Sequence, residues 1–274
     1  MEITLDLLKS IALEVYETVN PLLGTKKAAE KLERGAGGDI SMHIDIVAEN
    51  IIINKLKENN VNLLFISEEI GEEYIGDKQL VVKNNYKLIV DPVDGSNNAV
   101  RGIPYSSVSI AYAVGDRLKD VEIAVIINLY TQDLYWAIKG EGAYMNGNKI
   151  FVSNIDISQK SFFELDISKK DLFKHLETLK KIFENPLKIR IMGSTALTLC
   201  QIASGSIDAF LNLRSTSRIV DAAAGYLIIK ESGGNFFSVN GSDLNQELLS
   251  IKTRFPFVAC NSKLAPFLKE VLVF

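Results

Sequence analysis

Lys87-Leu88-Ile89-Val90-Asp91-Pro92-Val93-Asp94-Gly95-Ser96 is the stretch on which the reading of this chain turns. Its apolar start, 87–90, has the composition of a buried strand. Pro92 removes a backbone donor, so the strand is expected to stop there and leave Asp91 at its carboxyl end, the place where α/β sheets carry their chemistry. Two carboxylates three positions apart, followed by a Gly-Ser pair that can open a helix, put a dianionic cluster beside helix N-terminal amides. Cations relieve the repulsion in such a cluster, and the amides of Gly95 and Ser96 can then accept a phosphate oxygen. Taken alone, Asp-Pro and Asp-Gly are also ordinary turn dipeptides.

The remaining acidic residues of the same kind raise the value of the first pair. Glu68-Glu69 follows a second apolar strand at 62–66, and Asp221 opens Asp221-Ala222-Ala223-Ala224-Gly225, a small-residue helix start where an N-cap aspartate is equally expected. With two histidines and no cysteine cluster, a site built from these residues offers oxygen ligands, which selects Mg²⁺ or Mn²⁺ over zinc. His43 reads as a surface or packing residue and His175, in a Lys-rich amphipathic stretch, as solvated. Cys200 and Cys260 lie too far apart for a metal or redox spacing and read as buried thiols.

Around these segments the chain falls into two halves without a flexible linker, expected at 1–153 and 154–274. The first is α+β: a helix over 1–20, a turn at Gly35-Ala36-Gly37-Gly38, a helix over 39–57, and strands at 107–114, 121–129 and 134–139 forming an antiparallel meander. An Asn146-Gly147 hairpin signal follows. The second is α/β, with strands at 162–167, 188–192, 208–213, 235–239 and 257–260 between helices at 172–183, 194–203, 221–232 and the C-terminus. At 274 residues, 47% hydrophobic and 23% charged, the chain has the composition of a soluble globular protein. A net charge of −4 supplies no basic field for a nucleic-acid backbone, and Tyr130, Tyr135 and Trp136 read as core or interface residues, not as base-stacking platforms. The N-terminus lacks the pattern of a signal peptide and the apolar runs are too short to span a bilayer, so a cytoplasmic protein is expected.

These residues resemble the inositol monophosphatase and fructose-1,6-bisphosphatase superfamily. Its three marks stand here as Ser67-Glu68-Glu69, as Asp91-Pro92-Val93-Asp94-Gly95-Ser96 with Asn98 following, and as Val220-Asp221-Ala222-Ala223-Ala224-Gly225. Lesser marks are Asp39 with Asp45, Gly102-Ile103-Pro104, Gly140-Glu141-Gly142-Ala143 with Asn146-Gly147, and Gly193-Ser194. The resemblance spans nearly the whole chain and implies a layered αβαβα sandwich, a magnesium-dependent phosphomonoesterase of the archaeal dual-activity type, and a homodimer.

Residue by residue, it implies that Glu68, Asp91 and the carbonyl of Val93 hold one Mg²⁺ and that Asp91, Asp94 and Asp221 hold a second. A third would share Glu68 with help from Asp45. Glu68 and Ser96 would orient the attacking water, and Asp94, Gly95, Ser96, Gly193 and Ser194 would contact substrate. Ser96 stands where the family most often has threonine, Ala99 where it has phenylalanine, and Val220 where it has tryptophan. Arg214 occupies a position that is glutamate in the animal inositol phosphatases, where it accepts from substrate hydroxyls. An arginine only donates, so Arg214 is expected to grip the second phosphate of fructose 1,6-bisphosphate; for Arg218 the same role and that of a solvated loop residue or a partner of a nearby Asp or Glu are equally expected. The alternatives are a 3′-phosphoadenosine 5′-phosphate or NADP phosphatase and, from another class, a regulatory or RNA-associated protein on the same scaffold.

Overall fold

The computed structural model describes residues 3–37 and 40–272. In chain order its elements are α1 (Leu5–Val19), β1 (Lys31–Arg34), β2 (Ile40–Met42), α2 (His43–Glu58), β3 (Leu63–Ser67), β4 (Gly71–Ile75), α3 (Lys78–Asn84), β5 (Tyr86–Asp94), α4 (Ser96–Arg101), β6 (Ser107–Val114), β7 (Val121–Asn128), β8 (Leu134–Ile138), β9 (Gly142–Met145) and β10 (Asn148–Ile150). The second part of the chain adds β11 (Phe162–Asp166), α5 (Lys169–Lys174), α6 (Leu176–Phe183), β12 (Lys188–Arg190), α7 (Thr195–Ala203), β13 (Ala209–Asn212), α8 (Ile219–Glu231), β14 (Asn235–Ser238), β15 (Phe257–Cys260) and α9 (Ala265–Leu272).

Among the described residues, two large sheets organise the molecule. One has eight strands in the order β10-β9-β8-β7-β6-β5-β3-β4, and the other has five in the order β12-β11-β13-β15-β14. Period-two burial explains the layering. Leu88 and Val90 of β5 pack with α1 and α2 in one apolar cluster, whereas Ile89 joins a second cluster built on α7 and α8. In β15, Phe257 and Ala259 join that second cluster, and Val258 and Cys260 face a third with Leu179 and Ile182 of α6 and Leu268 of α9. The layers therefore run α1/α2, eight-stranded sheet, α7/α8, five-stranded sheet, α6/α9: the αβαβα sandwich. Helices α7 and α8, in the middle, are buried nearly all round.

Gly225 shows how tightly the middle layer is packed. A Cβ built there would lie 2.2 Å from Cδ1 and 2.7 Å from Cβ of Leu199, so the last residue of the small-residue motif is what lets α8 approach α7. Gly225→Val is expected to lower the unfolding free energy by about 1–3 kcal/mol through overpacking, read as a lower denaturant midpoint at unchanged slope.

Several elements depart from the sequence expectation. Strand β5 does not stop before Pro92 but runs to Asp94. Its register against β6 shifts between Asp91↔Ser109 and Asp94↔Ser107, a bulge that places the proline where no ladder N–H is needed. The helix expected over 39–57 begins at His43, preceded by the β1/β2 pair; Gly38 and Asp39 lie outside the described residues. Strand β4 and helix α3 were not expected. The single helix read at 172–183 is two, α5 and α6, broken at His175 (φ −105°, ψ 12°). His175 is buried at that break, not solvated, because its backbone caps both helices and the side chain is carried inward with it. Cys200 in α7 and Cys260 in β15 are free, buried thiols in different apolar clusters. No described helix is long and apolar enough to cross a membrane.

Candidate functional site

The same strand parity that builds the layers assembles the acidic site. In β3, Leu64 and Ile66 face the α7/α8 side, and so does Ile89 in β5. Two residues further along the chain stand Glu68, the first residue past the end of β3, and Asp91 in β5. Because β3 and β5 are parallel, with Ser67 aligned to Val90, these two carboxylates come to the same level on the same face. Helix α8 lies across that face. Its Asp221 is the third residue of the helix, behind an N-cap at Arg218, and not the cap itself; two apolar residues, Ile219 and Val220, anchor the first turn in the core and aim Asp221 at the strand ends. Glu68, Asp91 and Asp221 each offer a carboxylate oxygen within 4.8 Å of the others, and all three are buried.

Asp91 is 1% exposed. Its Oδ1 accepts from the Val93 amide at 3.1 Å, while Oδ2 is buried without a hydrogen-bond partner. An orphan carboxylate oxygen beside two other carboxylates is what a bound cation would satisfy, and an all-oxygen donor set suits a hard divalent ion. The residues fit a metal. Burial drives the Asp91 carboxyl well above its ordinary range, aided by the charges of Glu68 and Asp221. Burial pushes Glu68 up to about 8, with the Arg218 guanidinium opposing it.

Asp94 stands beside this group, not within it. Its Oδ2 is drawn to the start of α7, accepting from Ser194 Oγ at 2.5 Å and from the Ala196 amide at 2.6 Å; burial and the nearby Asp221 charge raise it to about 7. Ser96 Oγ lies 2.8 Å from both Asp45 Oδ1 and the Val93 carbonyl. Asp45, in the first turn of α2, also accepts from the Met42 amide at 2.8 Å, and burial lifts it to about 7. The two chain halves are tied here by Asn98, whose Nδ2 donates to the carbonyls of Tyr105 at 2.8 Å and Met192 at 2.7 Å. Gly193, at φ +87°, turns the chain above that amide into Ser194, the N-cap of α7.

A cavity of about 520 Å³ opens over these groups, lined by Asp45, Glu68, Asp94, Gly95, Ser96 and Asp221. Gly193, Thr195, Asp166, Arg214 and Arg218 are also among its walls. The two arginines differ. Arg218 reaches into the acidic group, with Nη1 on Glu68 and Nε 3.0 Å from Asp221 Oδ1. Arg214 stays at the rim, its Nη1 3.4 Å from Asp166 Oδ2. Glu69 also lines the cavity and pairs with Ser41. His43 opens α2 and is not among the lining residues.

Sequence reading missed Asp166, Thr195 and Glu49. Glu49 is buried, and its Oε1 accepts from the Ile70 amide at 3.2 Å behind the Glu68-Glu69 corner. A signal existed for it: Asp45 and Glu49 are spaced i, i+4 on the face of α2 that carries Ile44, Ala48 and Ile52, so two acids interrupt an apolar stripe. Asp166 carries the same strand-end signal as Asp91, near the end of the strand expected at 162–167, but without a second acid three positions on or a Gly-Ser pair after it.

Comparison with known proteins agrees with this geometry. The inositol monophosphatase family profile matches residues 2–269. The fructose-1,6-bisphosphatase/inositol-1-monophosphatase of Methanothermobacter thermautotrophicus is 36% identical over 264 residues, covering 92% of this chain and 90% of that one. The bifunctional NADP phosphatase/NAD kinase of Methanococcus maripaludis is also 36% identical, over 95% of this chain, but the chain spans only 47% of that relative. Among solved structures, an inositol monophosphatase–fructose 1,6-bisphosphatase superposes with a TM-score of 0.83 at 28% identity, over 98% of this chain and 100% of that one. The chain belongs to the inositol monophosphatase family.

Proposed function

We propose that the protein is a magnesium-dependent phosphomonoesterase acting on small sugar or polyol phosphates, of the inositol-1-monophosphatase and fructose-1,6-bisphosphatase type, working in the cytoplasm as a homodimer. The observation that carries this is the buried Glu68–Asp91–Asp221 group, of which Glu68 and Asp221, with Asp94 beside them, line a cavity that also presents Gly95 and Ser96. In this reading Glu68, Asp91, Asp94, Asp221 and the Val93 carbonyl hold two Mg²⁺ ions, Asp45 helps with a third, and Mn²⁺ can substitute. Bound cations supply charge for the phosphoryl oxygens and lower the pKa of water.

The chain's own groups do the rest. Gly95 and Ser96 amides and the Gly193-Ser194 turn seat the phosphate. Ser96 Oγ donates to Asp45 Oδ1, so its lone pairs are left to accept a hydrogen bond from the attacking water, and Glu68 supplies the neighbouring acceptor. Nothing in this scheme requires a covalent phosphoenzyme.

A second reading is favoured by the 36% identity with the bifunctional NADP phosphatase/NAD kinase: removal of a nucleotide phosphate. The test is phosphate release from inositol 1-phosphate, fructose 1,6-bisphosphate and NADP with Mg²⁺ or with EDTA. Turnover that survives EDTA, or none on any compound with Mg²⁺, would sink the reading, and NADP as the preferred substrate would favour the second. In the same assay Ser96→Ala is expected to slow turnover about tenfold while leaving Mg²⁺ binding in place, the worth of one hydrogen bond in the transition state.

A further inference from the structure

One wall of the cavity comes from the five-stranded sheet. Strands β11 and β13 are parallel neighbours with Asp166 aligned to Asn212, so Asp166 ends one strand beside the point where Arg214 leaves the other. The backbone there is fixed: the Leu213 amide donates to the Asp166 carbonyl at 2.8 Å, the Arg214 amide to Asn212 Oδ1 at 3.3 Å, and the Ser215 amide to Asp171 Oδ2 at 3.1 Å. Both side chains line the cavity. Asp166 keeps 26% of its side chain exposed and Arg214 44%, and their contact is a single one at 3.4 Å. The pair is open enough to be re-bonded by a ligand.

We propose that the Asp166–Arg214 pair is the specificity element of this cavity, reading the end of the substrate remote from the scissile phosphate as a neutral polyol and disfavouring a second phosphate there; this rests on the phosphomonoesterase reading above. Neighbouring hydroxyls match the pair, because one can donate to Asp166 while another accepts from Arg214. A phosphate dianion matches only the guanidinium. It would have to draw Arg214 away from Asp166 and then lie against that carboxylate. The negative charge at 166 thus cancels the advantage a lone Arg214 would confer on a bisphosphate.

The experiment measures kcat and KM at saturating Mg²⁺ for inositol 1-phosphate and fructose 1,6-bisphosphate, in the wild type, in Asp166→Asn and in Asp166→Asn combined with Arg214→Ala. The wild type is expected to have the higher kcat/KM on the monophosphate. Asp166→Asn, which keeps the shape and frees the guanidinium, should move the ratio toward the bisphosphate by at least about tenfold, through KM and not kcat. Adding Arg214→Ala should abolish that gain. A wild type that prefers the bisphosphate overturns the proposal, as does an Asp166→Asn ratio within about twofold of the wild type. Failure of the underlying reading looks different: the wild type would release no phosphate from either compound. Calorimetric titration of both compounds into wild type and Asp166→Asn would then decide, an unchanged affinity ratio overturning the proposal and a tenfold shift supporting it.

Discussion

Asp94→Asn and Asp221→Asn are each expected to cut Mg²⁺-dependent phosphate release by at least about 10³-fold, since a carboxylate that helps hold charge against a transferring phosphoryl group is worth several kcal/mol. For Asp94 the local hydrogen bonds make the loss worse than that of one negative charge. Oδ2 accepts from both Ser194 Oγ and the Ala196 amide, and the amide can only donate. An asparagine must therefore turn its carbonyl toward α7 and its NH₂ toward the position a cation would take. For Asp221, the Arg218 Nε contacts both carboxylate oxygens, at 3.0 and 3.3 Å, so an amide nitrogen at either place faces an N–H donor. Both variants should fold, because each keeps the side-chain volume in place. Near-wild-type turnover in either, with a normal thermal midpoint, would remove the carboxylate from the proposed set.

Stability should respond to pH and Mg²⁺ together. Asp94 and Asp45 are raised from 3.8 to about 7 and Glu68 from 4.5 to about 8, chiefly by burial. A carboxyl whose folded pKa lies above its unfolded value stabilises the fold below the unfolded value, and that contribution is lost as pH rises through the folded one. Protein stripped with EDTA is therefore expected to lose thermal stability steadily between about pH 5 and pH 8 as these carboxyls ionise against one another. Divalent cations compensate the ionised form and compete with the protons. The gain in melting temperature on adding Mg²⁺ should accordingly be small near pH 5.5 and largest near pH 8.5, with apparent Mg²⁺ affinity rising over the same interval. Equal gains at both ends would mean that these carboxyls do not exchange protons for metal.

Much of this was legible because it is local. The helix of α1 is an apolar stripe behind a Thr4 cap, β6 to β8 are apolar runs, the first clearly alternating, that pair as an antiparallel meander, and Asn146-Gly147 is a hairpin signal that the β9/β10 pairing bears out. Each depends on periodicity and turn chemistry within a few residues. What failed locally did so for tertiary reasons. Pro92 reads as a strand stop, but β6 on one side and the bulge between Asp91 and Asp94 keep the strand going. His175 reads as a solvated helix residue, but the helix breaks there, α6 packs Leu179 and Ile182 into the third apolar cluster, and His175 is buried at the break.

By itself, the sequence determined which residues carry charge at strand ends and helix starts, the alternation of elements and the family to which they point. Those are properties of neighbouring residues and of motif spacing. Which acids meet was decided only by the tertiary structure: Glu68 and Asp91 share a level because β3 and β5 run parallel in register, and Asp221 joins them because the apolar first turn of α8 sits on that face. The placement of Asp94 against α7, of Arg218 among the acids and of Arg214 beside Asp166 follows from contacts between residues 48 to 150 positions apart. Hydrogen bonds and ion pairs at such separations depend on how layers stack, and no local pattern in a chain records that.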